Sequence, residues 1–130
     1  MSRVFILQPP TRKRDLSSAQ RYGTIVYLID DPEFQPSLSP AKALTEIINR
    51  LQEWDYKPER DYLVFTGGDS VGALMLGQSA SIFGRVSINN IQPKFYRTLR
   101  WDRELQPDGT RAGGFYTPVV VPLALDMSLL

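Results

Sequence analysis

The chain contains neither cysteine nor histidine. Without cysteine it has no disulfide, no thiolate ligand for zinc or an iron–sulfur cluster, and no cysteine nucleophile. Without histidine it has no Ser-His-Asp triad, no imidazole ligand and no general base of the usual neutral-pH type. The chemistry that remains belongs to carboxylate, lysine, tyrosine and serine side chains, and to Mg²⁺ held by carboxylates. This composition favours a non-enzymatic protein over an enzyme.

Long apolar runs and a strong net charge are also missing. No segment reaches the roughly 18 consecutive apolar residues that a membrane-spanning helix needs. The apolar run near the N-terminus is too short for a secretory signal and ends at Pro9 and Pro10. The net charge is only +1, from 15 basic and 14 acidic residues, whereas dedicated nucleic-acid binders are usually more basic. We therefore expect a cytoplasmic protein without a membrane partner, and nucleic acid is not the favoured partner.

The length of 130 residues fits one domain, in which residues 1–21 form an N-terminal strand and a charged linker. Residues 24–29 form a continuous run of mostly apolar and β-branched residues, which predicts a central strand buried on both faces. Ser39-Pro40 begins an amphipathic helix, and residues 62–66 form the next strand. A second, mostly apolar helix leads to a third strand at 85–91. Strand–helix–strand connections are right-handed, so these three strands should be parallel.

The C-terminal part of the chain predicts an extension at 94–123. Residues 95–102 alternate between apolar and polar, and a turn rich in glycine separates them from residues 115–123. Pro118 and Pro122 suit an edge strand, because proline cannot donate to a ladder. The predicted fold class is a single three-layer α/β domain with a central parallel β-α-β-α-β unit and a C-terminal antiparallel hairpin.

A tight turn between the second predicted strand and the second helix is the first candidate site. In parallel sheets, ligands bind at the carboxyl ends of the strands, where helix N–H groups attract anions. This turn therefore predicts a nucleotide or phosphate site, although aspartate and serine are also ordinary helix caps. Its residues are Gly67, Gly68, Asp69 and Ser70.

Three carboxylates follow predicted parallel strands. Asp30 and Asp31 end the strand at 24–29, and Asp69 follows its neighbour in the chain. If the two strands are adjacent, these carboxylates share one edge, as the ligands of a bound Mg²⁺ do. The alternative is that Asp30 and Asp31 only form a turn before Pro32. Mg²⁺ is expected only if this region binds nucleotide, and otherwise no cofactor is expected.

Basic and aromatic residues recur along the strand at 95–102. Such interleaving is typical of surfaces that track a single strand of nucleic acid and stack on its bases. Alternation along a strand, however, turns Arg97 and Arg100 to opposite faces. The alternative is a solvated edge on which Arg100 pairs with Asp102. The candidate nucleic-acid residues are Lys94, Arg97, Arg100 and Trp101.

Three segments together resemble short uncharacterised proteins encoded in the genomes of tailed bacteriophages. The segments are Tyr22-Gly23-Thr24-Ile25-Val26-Tyr27-Leu28, then Glu59-Arg60-Asp61-Tyr62-Leu63-Val64 followed by Thr66-Gly67, then Leu99-Arg100-Trp101-Asp102-Arg103. The resemblance implies a phage context, and with it the cytoplasm of the host cell. It implies no catalytic residue.

The leading hypothesis is therefore a small non-enzymatic interaction or assembly module, a bacteriophage accessory protein that binds a protein partner or itself. The first alternative is a nucleotide- or phosphate-binding domain that uses the turn at 67–70. The second alternative is a single-stranded nucleic-acid binder that uses residues 94–103.

Overall fold

The computed structural model describes residues 1–10, 14–65, 69–86 and 92–124. Two short 3₁₀ helices lie at Ala19–Tyr22 and Pro36–Leu38. The strands and α-helices follow in the order β1 (Arg3–Ile6), β2 (Thr24–Tyr27), α1 (Pro40–Glu53), β3 (Tyr62–Val64), α2 (Ser70–Arg85), β4 (Phe95–Leu105) and β5 (Arg111–Pro122).

The five strands form one mixed sheet in the order β2-β1-β3-β4-β5. Neighbouring strands from β2 to β4 pair in parallel, and β4 and β5 pair as an antiparallel hairpin. The β2-α1-β3-α2-β4 segment is a parallel β-α-β-α-β unit, because each helix connects two strands of the same direction. The predicted α/β class with a C-terminal hairpin is confirmed.

The strand predicted at 24–29 does not have the expected place in the strand order of the sheet. We expected this strand at the centre of the sheet, but β2 lies at its edge and β1 takes the inner position. Val4, Phe5 and Ile6 of β1 are completely buried, since strands flank them on both sides and side chains cover both faces. The apolar residues of β2 indicate that the faces of this strand are buried. They do not indicate whether another strand pairs with its outer backbone edge.

The third parallel strand also differs from the prediction at 85–91. Arg85 is the last residue of α2, and residues 87–91 lie outside the described residues. The strand that follows the second crossover is β4, which pairs in parallel with β3 through Leu63 and Thr98. β4 therefore has two roles, because it completes the parallel unit and also begins the hairpin.

Both helices pack on the same face of the sheet. Ile47 of α1 and Leu76 of α2 share one buried cluster with Phe5 and Leu63 of the strands. The opposite face carries a second cluster around Val4, Ile6, Val64 and Leu99, which is covered by the segment 16–22 and by Tyr116. The third layer of the domain is therefore this short segment with one 3₁₀ turn, and not a helix. None of the described helices is long and apolar enough to cross a membrane.

Candidate functional site

The turn predicted to bind an anion lies at the start of α2. Gly67 and Gly68 lie outside the described residues. Asp69 is the N-cap of α2, and its Oδ1 accepts a hydrogen bond of 2.9 Å from the N–H of Val71. Its Oδ2 accepts a bond of 2.8 Å from the N–H of Ser37. Hydrogen bonding from Ser37, and more weakly from the start of α2, holds the pKa of Asp69 below its ordinary value. Asp69 is thus a helix cap, as the alternative interpretation stated.

The strand order reverses beside this turn, between the carboxyl ends of β1 and β3, where ligands of open α/β sheets usually bind. The described residues leave a cavity of only about 20 Å³ there, lined by Gln8 and Asp69 among others. A segment of the chain itself fills the crevice. The Nε2 of Gln8 donates to the carbonyls of Pro32 and Phe34, and a Cβ on Gly72 would lie 3.1 Å from Pro36.

The three carboxylates proposed as Mg²⁺ ligands lie in separate places in the structure. Asp30 is exposed beyond the end of β2. The Oδ1 of Asp31 accepts a bond of 2.9 Å from the N–H of Glu33, as in an ordinary turn. Among residues 1–10, 14–65, 69–86 and 92–124, no group of three acidic side chains is close enough to hold a metal ion. The structure does not bring Asp30, Asp31 and Asp69 together.

The basic residues of β4 take part in local contacts. Arg97 donates to the hydroxyl of Tyr62 at 3.1 Å and to the carbonyl of Glu59 at 2.7 Å, and its guanidinium lies 4.3 Å from the centroid of the Tyr62 ring. Arg100 pairs with both carboxylate oxygens of Asp102 at 2.9 and 3.0 Å. This pair holds the pKa of Asp102 below its ordinary value, together with a bond from Thr117.

The other two candidates of the nucleic-acid hypothesis lie apart from each other. Trp101 stacks edge-on against Tyr116 with ring centroids 4.9 Å apart, and the indole is 38% exposed. Lys94 has a positive φ of 63° before β4, and its N–H donates to the carbonyl of Gly84. Arg97 and Trp101 belong to one face of the sheet and Arg100 to the other, so the four residues do not form one continuous stripe.

A groove runs along the outer edge of β2. Its volume is about 740 Å³. Thr24 and Val26 of β2 form one side, and Trp54, the C-cap residue of α1, forms another with 41% of its surface exposed. Arg3 and Arg60 complete the lining. The pattern of residues 24–29 predicted a buried central strand, and a strand in that position has no exposed edge, so this surface was not expected.

A buried carboxylate positions the groove-lining side chains. Asp61 is completely buried and accepts hydrogen bonds from the backbone N–H groups of Arg3 and Lys57, both at 3.0 Å. Its two oxygens also accept bonds of 3.1 and 3.0 Å from Nε and Nη2 of Arg60. Hydrogen bonding to the Asp61 carboxylate raises the pKa of Arg60, so the guanidinium stays charged. Arg3 in turn lies 5.5 Å from the Trp54 ring, which orients the indole.

The outer edge of β2 also presents backbone groups. The N–H groups of Thr24 and Leu28 donate to the carbonyls of Ser2 and Ile6 at 3.3 and 2.9 Å, so these residues face β1. Successive N–H groups of a strand point to opposite edges. The N–H and C=O groups of Ile25 and Tyr27 therefore point outward. Within the described residues, no strand pairs with β2 on that side.

These features define a small α/β domain with an open sheet edge beside an apolar groove. A family model described as Phage Pam3 gp32-like protein matches residues 2–107, which is more than half of the chain. The chain belongs to this family, which confirms the resemblance to bacteriophage proteins. A comparison with curated proteins found no match, and a comparison with solved structures found none either.

Proposed function

We propose that this phage-family protein is a non-enzymatic interaction module that binds a protein strand along β2. The observation that carries the proposal is the groove of about 740 Å³ beside an edge of β2 with which none of the described strands pairs. An extended segment that lies against β2 gains backbone hydrogen bonds, and its side chains enter the adjoining groove. We place this activity in the host-cell cytoplasm, as expected from the sequence.

The chemistry of the groove supports a protein ligand over a charged small molecule. Trp54 offers a large, half-exposed indole, and tryptophan and arginine are enriched among the residues that dominate binding energies at protein interfaces. The guanidinium groups of Arg3 and Arg60 already contact Asp61, at 3.9 and 3.0 Å. The groove therefore offers mainly apolar area and backbone groups, with the exposed carboxylate of Asp30 at one end.

Site-specific photo-crosslinking tests the proposed module. Thr24 is exposed and lines the groove, so a benzophenone amino acid at this position should form a covalent adduct with one protein species in bacteria that produce the phage. Asn49 is exposed on α1 and does not line the groove, so the same label there should give no such adduct. Trp54→Ala should weaken binding by roughly thirtyfold, because truncation of a central aromatic anchor costs about 2 kcal/mol. The proposal is wrong if positions 24 and 49 give the same adducts, or if position 24 gives none.

A nucleotide or phosphate site at 67–70 is the second candidate. The position of α2 favours it, and the small volume that the described residues leave in the adjoining crevice, about 20 Å³, opposes it. The N-terminus of α2 lies where the strand order reverses, which is the usual site for such ligands. A nucleotide present with Mg²⁺ at 100 times its dissociation constant should stabilise the fold by about 2.7 kcal/mol. Asp69→Ala should remove this thermal shift relative to the variant's own baseline. An absence of shift with every nucleotide tested would leave the interaction module alone.

A further inference from the structure

The two edges of the sheet differ in their capacity to bind another strand. Pro118 and Pro122 lie in β5, opposite Leu99 and Phe95 of β4. Proline fits a ladder only where its nitrogen points away from the neighbouring strand, so the outer edge of β5 lacks two donors. β2 contains neither proline nor lysine, the residues that commonly block sheet edges. β2 is therefore the edge that is able to accept a strand.

The ends of β2 carry opposite charges. Arg21 is exposed before the strand, and Asp30 and Asp31 are exposed after it. A second β2 in antiparallel orientation would bring the basic end of one copy next to the acidic end of the other. A parallel orientation would place like charges together, which is unfavourable. The other cations near the groove, Arg3 and Arg60, already contact Asp61.

The outward backbone groups of β2 are also complementary to their own copy. Ile25 and Tyr27 both point outward, and two residues of an antiparallel pair that face each other exchange both N–H···O bonds. If Ile25 of one copy faces Tyr27 of the other, every outward group of these two residues finds a partner. The two-fold axis then passes at Val26, and the 3₁₀ turn that carries Arg21 in one copy lies at the same end of the interface as Asp30 and Asp31 of the other. One register thus satisfies the backbone and the charges together.

We propose that the strand bound at this edge is β2 of a second copy, paired antiparallel around Val26. This inference rests on the proposed function, because it names the partner of the same surface. The sheets of the two copies then form one continuous sheet, and the two grooves, each with its Trp54, lie on either side of the two-fold axis. Such an interface is isologous and closes as a dimer, which leaves the hairpin ends at the outside.

Sedimentation velocity of the full chain tests the dimer. The wild type should sediment as a dimer, and Ile25→Pro should raise the dimer dissociation constant by about tenfold or more, because it removes an outward donor from each copy. The β1–β2 ladder does not use this N–H, so the variant should keep its circular dichroism spectrum. Ile25→Thr is the matched control, since it keeps the N–H on a β-branched residue and should remain dimeric.

A charge exchange provides an independent test that does not touch the backbone. At low ionic strength, Arg21→Glu should weaken the dimer severalfold, and addition of Asp30→Arg to the same chain should restore it. A dimer that persists in Ile25→Pro would overturn the proposal, as would a wild type that is monomeric at every concentration. In the monomeric case, crosslinking from position 24 to another protein would still support the interaction module, so the two proposals fail separately.

Discussion

Asp61→Asn is expected to lower the free energy of unfolding by about 3 kcal/mol or more, the range found when one partner of a buried ion pair is removed. Oδ1 of Asp61 accepts bonds from Arg3 N–H and Arg60 Nε, and Oδ2 accepts bonds from Lys57 N–H and Arg60 Nη2. An asparagine has the same shape, but its NH₂ group faces two donors whichever way the amide is turned. Urea unfolding of both proteins, followed by circular dichroism, measures the difference.

Asp55→Asn is the matched control, because it removes the same charge from the same group of ion pairs. The Asp55 carboxylate is 73% exposed and lies 3.7 and 3.9 Å from Lys57 and Arg60. Exposed pairs of this kind contribute about 0–1 kcal/mol, so this variant should stay within 1 kcal/mol of the wild type. Asp55 has a positive φ of 53°, a backbone conformation that asparagine adopts readily, so the substitution adds no backbone strain. Equal effects of the two substitutions would contradict the structural role assigned to Asp61.

Gly23→Ala is expected to be the second severe substitution. A Cβ at this position would lie 2.5 Å from the carbonyl oxygen and 2.7 Å from the carbonyl carbon of Ser2, and 2.8 Å from the nitrogen of Arg3. These are backbone atoms, so the clash is relieved only if β1 and β2 separate. The φ of Gly23 is 155°, a conformation that residues with a side chain rarely adopt. Strain and clash together should cost about 3 kcal/mol, measured by the same urea unfolding.

Gly109→Ala separates the backbone strain from the steric clash. Gly109 has a φ of 87°, and a Cβ there meets no atom within 4 Å. This substitution should cost only about 1–2 kcal/mol, the price of a side chain at positive φ. If Gly23→Ala is no more destabilising than Gly109→Ala, the close approach of Gly23 to Ser2 does not restrict the side chain at position 23.

Asp61 and Gly23 support the same part of the molecule from two sides. Asp61 binds the N–H of Arg3 at the start of β1, and Gly23 allows the start of β2 to approach Ser2. The edge of β2 and the groove beside Trp54 depend on both contacts. Stability losses in these variants should therefore be accompanied by weaker binding along β2, if the proposed module is correct.

The sequence predicted the elements better than their arrangement. The amphipathic period around Ile47 and Leu51 predicted α1, and the alternation after Phe95 predicted β4, because such patterns report which side chains are buried. The prolines of β5 predicted an edge strand correctly. The same patterns placed β2 at the centre of the sheet and missed the inner position of β1. Apolar residues indicate which faces of a strand are buried, and burial of both faces does not determine whether another strand pairs with its edge.

The candidate site residues were also predicted where local chemistry decides their role and missed where contacts between distant residues decide it. Local chemistry gave a helix cap as the alternative role of Asp69 and a pair with Asp102 as the alternative role of Arg100, and the structure has both contacts. The groove and the buried carboxylate of Asp61 were missed. Asp61 binds Arg3, which is far away in the chain, and no spacing rule connects the two residues. A charged residue directly before an apolar strand was the one available signal.

By itself, the sequence determined the α/β class, the helices, the hairpin and the absence of cysteine and histidine chemistry. These follow from periodicity, proline placement and composition, which act over a few residues of chain. The tertiary structure alone decided that β1 lies inside and β2 outside, that the 31–38 segment fills the crevice beside α2, and that Trp54 lies next to an open strand edge. Those outcomes depend on which distant segments bury the most surface together, and a one-dimensional pattern does not contain that comparison.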